Sequence, residues 1–145
     1  MLITLCGIPG SGKTTLSRKL ADKIDAVLYC YDNLPNANRP PHHQMVRHEM
    51  WVDAARDLQN DLNVVLDDLH TTQKMRMDML AALGDVDCKK MIVVMQTPYE
   101  LCLQRNANRS AWLPDFVIQS LHNRFVMPTL EEGWDEIVHY QPIDI

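Results

Sequence analysis

Residues 2–16, LITLCGIPGSGKTTL, narrow the possible folds of this chain more than any other stretch. The apolar run LITLCG (2–7) reads as a buried strand, and a helical pattern begins near Lys13 and continues over about 13–24. Between them Gly7, Gly10 and Gly12, with Pro9 and Ser11, leave a nearly bare backbone, and Lys13, Thr14 and Thr15 open the helix. Glycines let successive N–H groups turn inward around an anion, and a helix start adds partial positive charge. Residues 7–14 match GxxxxGK(S/T) at every fixed position, between the strand and the helix that the mechanism requires. The stretch is a phosphate cradle. Lys13 is placed to reach β- and γ-phosphates and the Thr14 hydroxyl to bind Mg²⁺, so the expected ligands are ATP and Mg²⁺.

The rest of the chain alternates short apolar runs with helical patterns. AVLYCY (26–31) is a second strand ending at Asp32, and NVVL (63–66) a third that runs into Asp67 and Asp68. KMIVVMQ (90–96) and EIVHYQ (136–141) are a fourth and a fifth. Helices are expected over about 44–62, over 72–83 with Gly84 as the stop, from Pro98, and again from Pro114. In the first of these, Met45, Trp51, Val52, Ala55 and Leu58 form the expected apolar stripe. Met75, Met77 and Met79 alternate across the next and are expected to pack, not to hold a cofactor. The Pro/Asn-rich segment 33–43 is the long irregular stretch. Apolar strands separated by helices specify a parallel sheet covered on both faces, a three-layer α/β fold, and 145 residues suit one domain spanning 1–145.

Composition excludes some functions. A formal net charge of -5 gives no global basic field for a large polynucleotide surface. Cys6, Cys30, Cys88 and Cys102 have no metal-type spacing, and His42-His43 has no ligand partners nearby. The N-terminal apolar run is too short to span a membrane and no basic segment precedes it. The expectation is a reducing, cytoplasmic setting without membrane contact.

Ligands of such sheets bind beyond the carboxyl ends of the strands, where Asp32, Asp67 and Asp68 fall. One carboxylate there can hold Mg²⁺ or its waters, and another can take a proton from an acceptor hydroxyl. Asp32 suits the base role because it leads into the long loop; Asp67 and Asp68 are the metal candidates, with the choice between them open. Between Leu101 and Met127 the chain has Arg105, Arg109 and Arg124 against Asp115 alone. Guanidinium groups fork onto phosphoryl oxygens, which makes Arg105 and Arg109, one turn apart on one expected helix face, catalytic candidates. Asn106 and Asn108 sit at an expected helix end leading into RSAWLP (109–114), a candidate lid, whose Trp112 is expected to pack in the core or the lid, with stacking on adenine as the alternative.

Together GIPGSGKTT, YDN at 31–33, VVLDDLHTTQKMR at 64–76 and TPYELCLQRNANR at 97–109 resemble a family of small P-loop kinases. The resemblance spans about residues 1–127. It is nearest to the 5′-hydroxyl kinase domain of phage polynucleotide kinase and to the kinase domain that phosphorylates seryl-tRNA on the selenocysteine tRNA. It implies an adenylate-kinase-like fold with a small lid and ATP-dependent phosphorylation of a hydroxyl. By position it implies Asp32 as general base, Lys13 and Thr14 as the phosphate and magnesium grip, Asp68 as an acidic site residue and Arg109 as a lid arginine contacting nucleotide. Leu34, Pro35 and Asn36 stand where the polynucleotide kinase has a basic residue for its acceptor, and the tRNA-dependent relative has a C-terminal RNA-binding region where this sequence ends at Ile145. The resemblance therefore carries the kinase chemistry and leaves the acceptor between a nucleic-acid end and a small metabolite, nucleoside or aminoacyl-tRNA. A nucleotide-driven switch or ATPase is the alternative of another class.

Overall fold

A computed structural model describes residues 1–109 and 112–142. Five strands form one all-parallel sheet in the order β2-β3-β1-β4-β5: β1 Leu2–Cys6, β2 Ala26–Cys30, β3 Asn63–Asp67, β4 Lys90–Met95 and β5 Glu136–Tyr140. The helices are α1 Lys13–Lys23, α2 His43–Gln59, α3 Gln73–Leu83, α4 Tyr99–Ala107 and α5 Asp115–Asn123. Among the described residues none is long and apolar enough to cross a membrane.

The three layers follow from strand alternation. Successive side chains leave a strand on opposite faces. Leu2 and Cys6, Val64 and Leu66, and Ile92 and Val94 join one core with Trp51 and Ala54 of α2 and Met79 and Leu83 of α3. Ile3 and Leu5, Val65, and Val93 and Met95 face the other way, onto Ala21 of α1. Both faces are apolar, so the central strands read as continuous hydrophobic runs. The α3 ends are also written locally: Thr72 Oγ1 accepts the Met75 N–H at 3.2 Å, and Gly84 stops the helix at φ 69°.

Several expectations need correction. In α2 the buried line is Met50, Trp51, Ala54, Ala55 and Leu58, whereas Met45 is 56% and Val52 46% exposed. Val52 follows Trp51 by one residue, about 100° around the helix, which turns it off the sheet. Met79 packs in the core, but Met77 is exposed. Trp112 is 62% exposed, so it does not belong to the core. Ser110 and Ala111 of the expected lid, and residues 143–145 of the expected domain, lie outside the described residues.

Candidate active site

The β1–α1 loop is shaped by close backbone approach. Gly10 (φ 83°) and Gly12 (φ 93°) are left-handed. A Cβ on Gly10 would come within 2.4 Å of the Cys102 carbonyl oxygen in α4, so this position has no room for a side chain. The Thr97 hydroxyl donates to the Ser11 carbonyl at 2.6 Å and clamps the loop from the end of β4. Lys13 Nζ donates to the Ile8 carbonyl at 3.2 Å, inside the loop. Burial lowers the Lys13 pKa; the charges of Asp67, Asp68 and Asp32 oppose that shift without cancelling it.

A cleft of about 850 Å³ opens above this loop at the carboxyl ends of the strands. Pro9, Gly10, Gly12, Lys13, Thr14, Thr15, Asp32, Asp67, Asp68, Arg105 and Arg109 all line it. Gly7 and Ser11 do not; they face a smaller pocket of about 200 Å³ on the other side of the loop. Arg109 also departs from expectation, since α4 ends at Ala107 with Asn108 as its cap and Arg109 lies beyond the helix. The two arginines reach the same cleft, one from the helix and one from the segment after it.

The two adjacent carboxylates have different surroundings. Asp67, at the end of β3, lies 3.1 Å from Ser17 Oγ, which is also 2.9 Å from the Thr14 carbonyl oxygen. Cys30 Sγ donates to the same Asp67 oxygen at 3.5 Å; burial and then the Asp67 charge push that thiol up to about 11. Asp68 is gripped instead by Arg47 of α2, Nε to Oδ2 at 2.7 Å and Nη2 to Oδ1 at 3.1 Å, and it accepts the Leu69 N–H at 2.8 Å. Asp32 sits in a 3-10 turn, Tyr31–Asn33, exposed to the cleft, and accepts the Asn38 side-chain amide at 3.0 Å.

These residues fit a magnesium nucleotide. A lysine ammonium held within a glycine cradle is short of compensating negative charge, which a polyphosphate supplies. Among the described residues no cluster of three or more His, Cys, Asp or Glu could hold a metal unaided. Mg²⁺ takes one or two carboxylates and completes its shell with phosphate oxygens and water, and Asp67 and Asp68 line the cleft together with Thr14.

Comparison with known proteins places the chain. The family model described as chromatin associated protein KTI12 matches residues 1–139. The chain belongs to the KTI12 family. It is also 27% identical over 143 residues to an L-seryl-tRNA(Sec) kinase of Methanococcus maripaludis, covering 93% of this chain and 56% of that protein. The chain thus spans a little over half the length of that relative. Among solved structures, Kti12 of Chaetomium thermophilum in complex with ADP-AlF3 superposes with a TM-score of 0.74 at 18% identity, over 97% of this chain and 89% of that one. A fungal RNA kinase superposes with a TM-score of 0.69 at 17% identity, over 95% and 72%. At these identities the superpositions show a shared P-loop kinase fold.

Three features of this KTI12-family chain escaped the sequence. The Arg47–Asp68 fork joins residues 21 apart, and the buried Arg76–Glu132 pair joins residues 56 apart. Buried Asn106 makes two hydrogen bonds to the backbone of Leu113, at 2.6 and 3.1 Å, and so anchors the segment after α4. The sequence places Arg47, with Arg39, near the acceptor loop but does not pair it with Asp68. Nothing local marked the other two.

Proposed function

We propose that this chain is an ATP-dependent kinase that transfers the γ-phosphoryl group to a hydroxyl, with a nucleic-acid 5′-hydroxyl as the favoured acceptor. One observation carries the reading: Lys13 and Thr14 of the cradle, Arg105, Arg109 and the exposed carboxylate Asp32 all line one cleft. Lys13 and the loop N–H groups hold the phosphates, and Arg105 and Arg109 spread positive charge over the transferring group. Thr14 and Asp67 would hold Mg²⁺, which would supply charge neutralisation for the phosphates; the Ser17 bridge between them supports Asp67 over Asp68 for that part. Asp32 takes the proton of the acceptor hydroxyl as its oxygen bonds to phosphorus and the bond to the departing ADP breaks. Four free thiols support a reducing, cytoplasmic setting. Likeness to a seryl-tRNA kinase supports an acceptor hydroxyl carried on a nucleic acid, and an RNA kinase shares the fold.

The exposure of Asp32 also suits a second reading, in which water takes the hydroxyl's place and the protein is an ATP-driven switch. Labelled ATP offered with oligonucleotides, tRNA, nucleosides and sugars separates them. Transfer to one class of hydroxyl supports the kinase; strong consumption of ATP without any acceptor replaces it with the switch.

A further inference from the structure

Among the described residues two arginine–carboxylate forks have a buried carboxylate, and they are built differently. Arg76 is wholly buried and uses every part of its guanidinium internally, Nε and Nη2 on Glu132 and Nη1 on the His70 carbonyl. That pair ties α3 to the turn before β5. Arg47 is gripped on one edge alone, through Nε and Nη2 on Asp68, and its Nη1 has no hydrogen-bond partner among the described residues. Its side chain is 19% exposed and lies on the cleft wall.

The flat face of the Arg47 guanidinium rests on the Tyr31 ring, with the central carbon 3.9 Å from the ring centroid. Tyr31 is itself fixed, because its hydroxyl donates to the His43 carbonyl at 3.3 Å and accepts the Asn38 N–H at 2.9 Å. Asn38 in turn donates to Asp32. Asp68, Arg47, Tyr31, Asn38 and Asp32 therefore form one connected set along the acceptor side of the cleft. An arginine already ordered by a carboxylate and a ring need not be ordered again when an oxyanion meets its remaining N–H groups. The neighbouring loop offers no substitute, since Leu34, Pro35 and Asn36 are uncharged and the exposed Arg39 does not line the cleft.

On the reading that this cleft phosphorylates a hydroxyl, we propose that Arg47 recognises an anion at its acceptor end. The acceptor then carries a phosphate close to the reacting hydroxyl, as a nucleoside phosphate or a nucleic-acid strand does and a neutral nucleoside or sugar does not. Calorimetry on the full chain with Mg²⁺ and a non-hydrolysable ATP analogue tests this without any transfer step. The probes are adenosine, adenosine 3′-monophosphate and a four-nucleotide strand with a free 5′-hydroxyl.

The phosphate-bearing probes should bind about tenfold or more tightly than adenosine, as charge-assisted forks do. Preference for the monophosphate identifies a single adjacent phosphate as sufficient, and preference for the strand alone identifies a longer acceptor; both support the proposal. Arg47→Gln should bring the probes to within about threefold of one another. Arg47→Lys, which leaves Asp68 a cationic partner if the glutamine variant fails to fold, should lose most of the preference, because its one ammonium is engaged by Asp68. Equal binding of all probes by the unmodified chain, or a preference that survives both substitutions, overturns it. Failure of the ATP analogue to bind overturns the kinase reading and this inference with it.

Discussion

Ser17 Oγ stands between two parts of the site, 3.1 Å from Asp67 Oδ2 and 2.9 Å from the Thr14 carbonyl oxygen. The end of β3 is thereby tied to the first turn of α1, where Thr14 faces the cleft. Asp67→Asn should weaken binding of the magnesium nucleotide by about tenfold or more while leaving metal-free nucleotide binding nearly unchanged. Ser17→Ala should give a smaller loss of the same kind, about fivefold, since it removes one ordinary hydrogen bond. Titrations with Mg²⁺ and with a chelator measure both. If Asp68→Asn alone shows the magnesium-specific loss, the metal role passes to Asp68.

Lys13→Ala should reduce phosphoryl transfer by about a thousandfold and leave the melting temperature of the free protein close to normal. The ammonium is bonded to a loop carbonyl and held at a lowered pKa by burial, so its removal costs the fold little. Turnover near the normal rate in this variant would remove the phosphate-cradle assignment.

What the sequence made legible was local. The strand, glycine loop and helix of residues 2–24 are specified by neighbours along the chain, as are the five apolar strands and the Gly84 stop. Asp32, Asp67 and Asp68 were placed correctly on the cleft because strand ends converge there in any parallel sheet. The partners of those carboxylates were not legible, since Arg47 meets Asp68 only after α2 folds back across the sheet edge. The helix end at Asn106 and Asn108 was legible, but Arg109, which continues the helical spacing of Arg105, lies beyond it, and the bonds from buried Asn106 to the Leu113 backbone were not foreseeable.

The buried Arg76–Glu132 pair predicts an acid response. Burial alone would raise the Glu132 carboxyl, but hydrogen bonds from Arg76 and Trp134 and the Arg76 charge hold it below the ordinary carboxylate range. A depressed folded-state pKa contributes stability at pH values above the unfolded value, about 4.3, and loses it as pH falls through the folded value. Urea midpoints should therefore drop as pH is lowered below about 4. Glu132→Gln should cost about 3–5 kcal/mol at neutral pH, because Arg76 is left buried without its counter-charge, and should show a shallower acid decline. Identical acid slopes in the two proteins would exclude the pair as the cause.

Asn106 should govern the segment after α4. Removing it by Asn106→Ala deprives the Leu113 N–H and carbonyl of their partners, a cost of about 1–3 kcal/mol locally. Hydrogen exchange at the Leu113 amide should accelerate in the variant, and an ATP analogue should slow exchange across 106–114 in the unmodified chain. Exchange that is the same with and without the analogue would mean that this segment is not a lid.

The decisive substitution is Asp32→Asn. If Asp32 is the general base, losing its carboxylate should lower transfer to an acceptor hydroxyl by about a hundredfold or more. Nucleotide affinity should change little, because the phosphates are held by the cradle and the arginines rather than by Asp32. The new amide can still bond to Asn38 through its oxygen, so the turn at Tyr31–Asn33 keeps its shape and the loss reports on chemistry. A base must also lie within hydrogen-bond reach of the hydroxyl and in line with the γ-phosphate. Substitutions at Asn33 and Asn38, which line the cleft with Asp32, should accordingly alter acceptor choice more than nucleotide binding. Loss of magnesium-nucleotide binding in Asp32→Asn would assign this carboxylate to the metal and transfer the base role to Asp67 or Asp68. An unchanged rate of transfer would make it a turn residue, and an unchanged rate of acceptor-free ATP consumption beside abolished transfer would separate the kinase from the switch in one measurement.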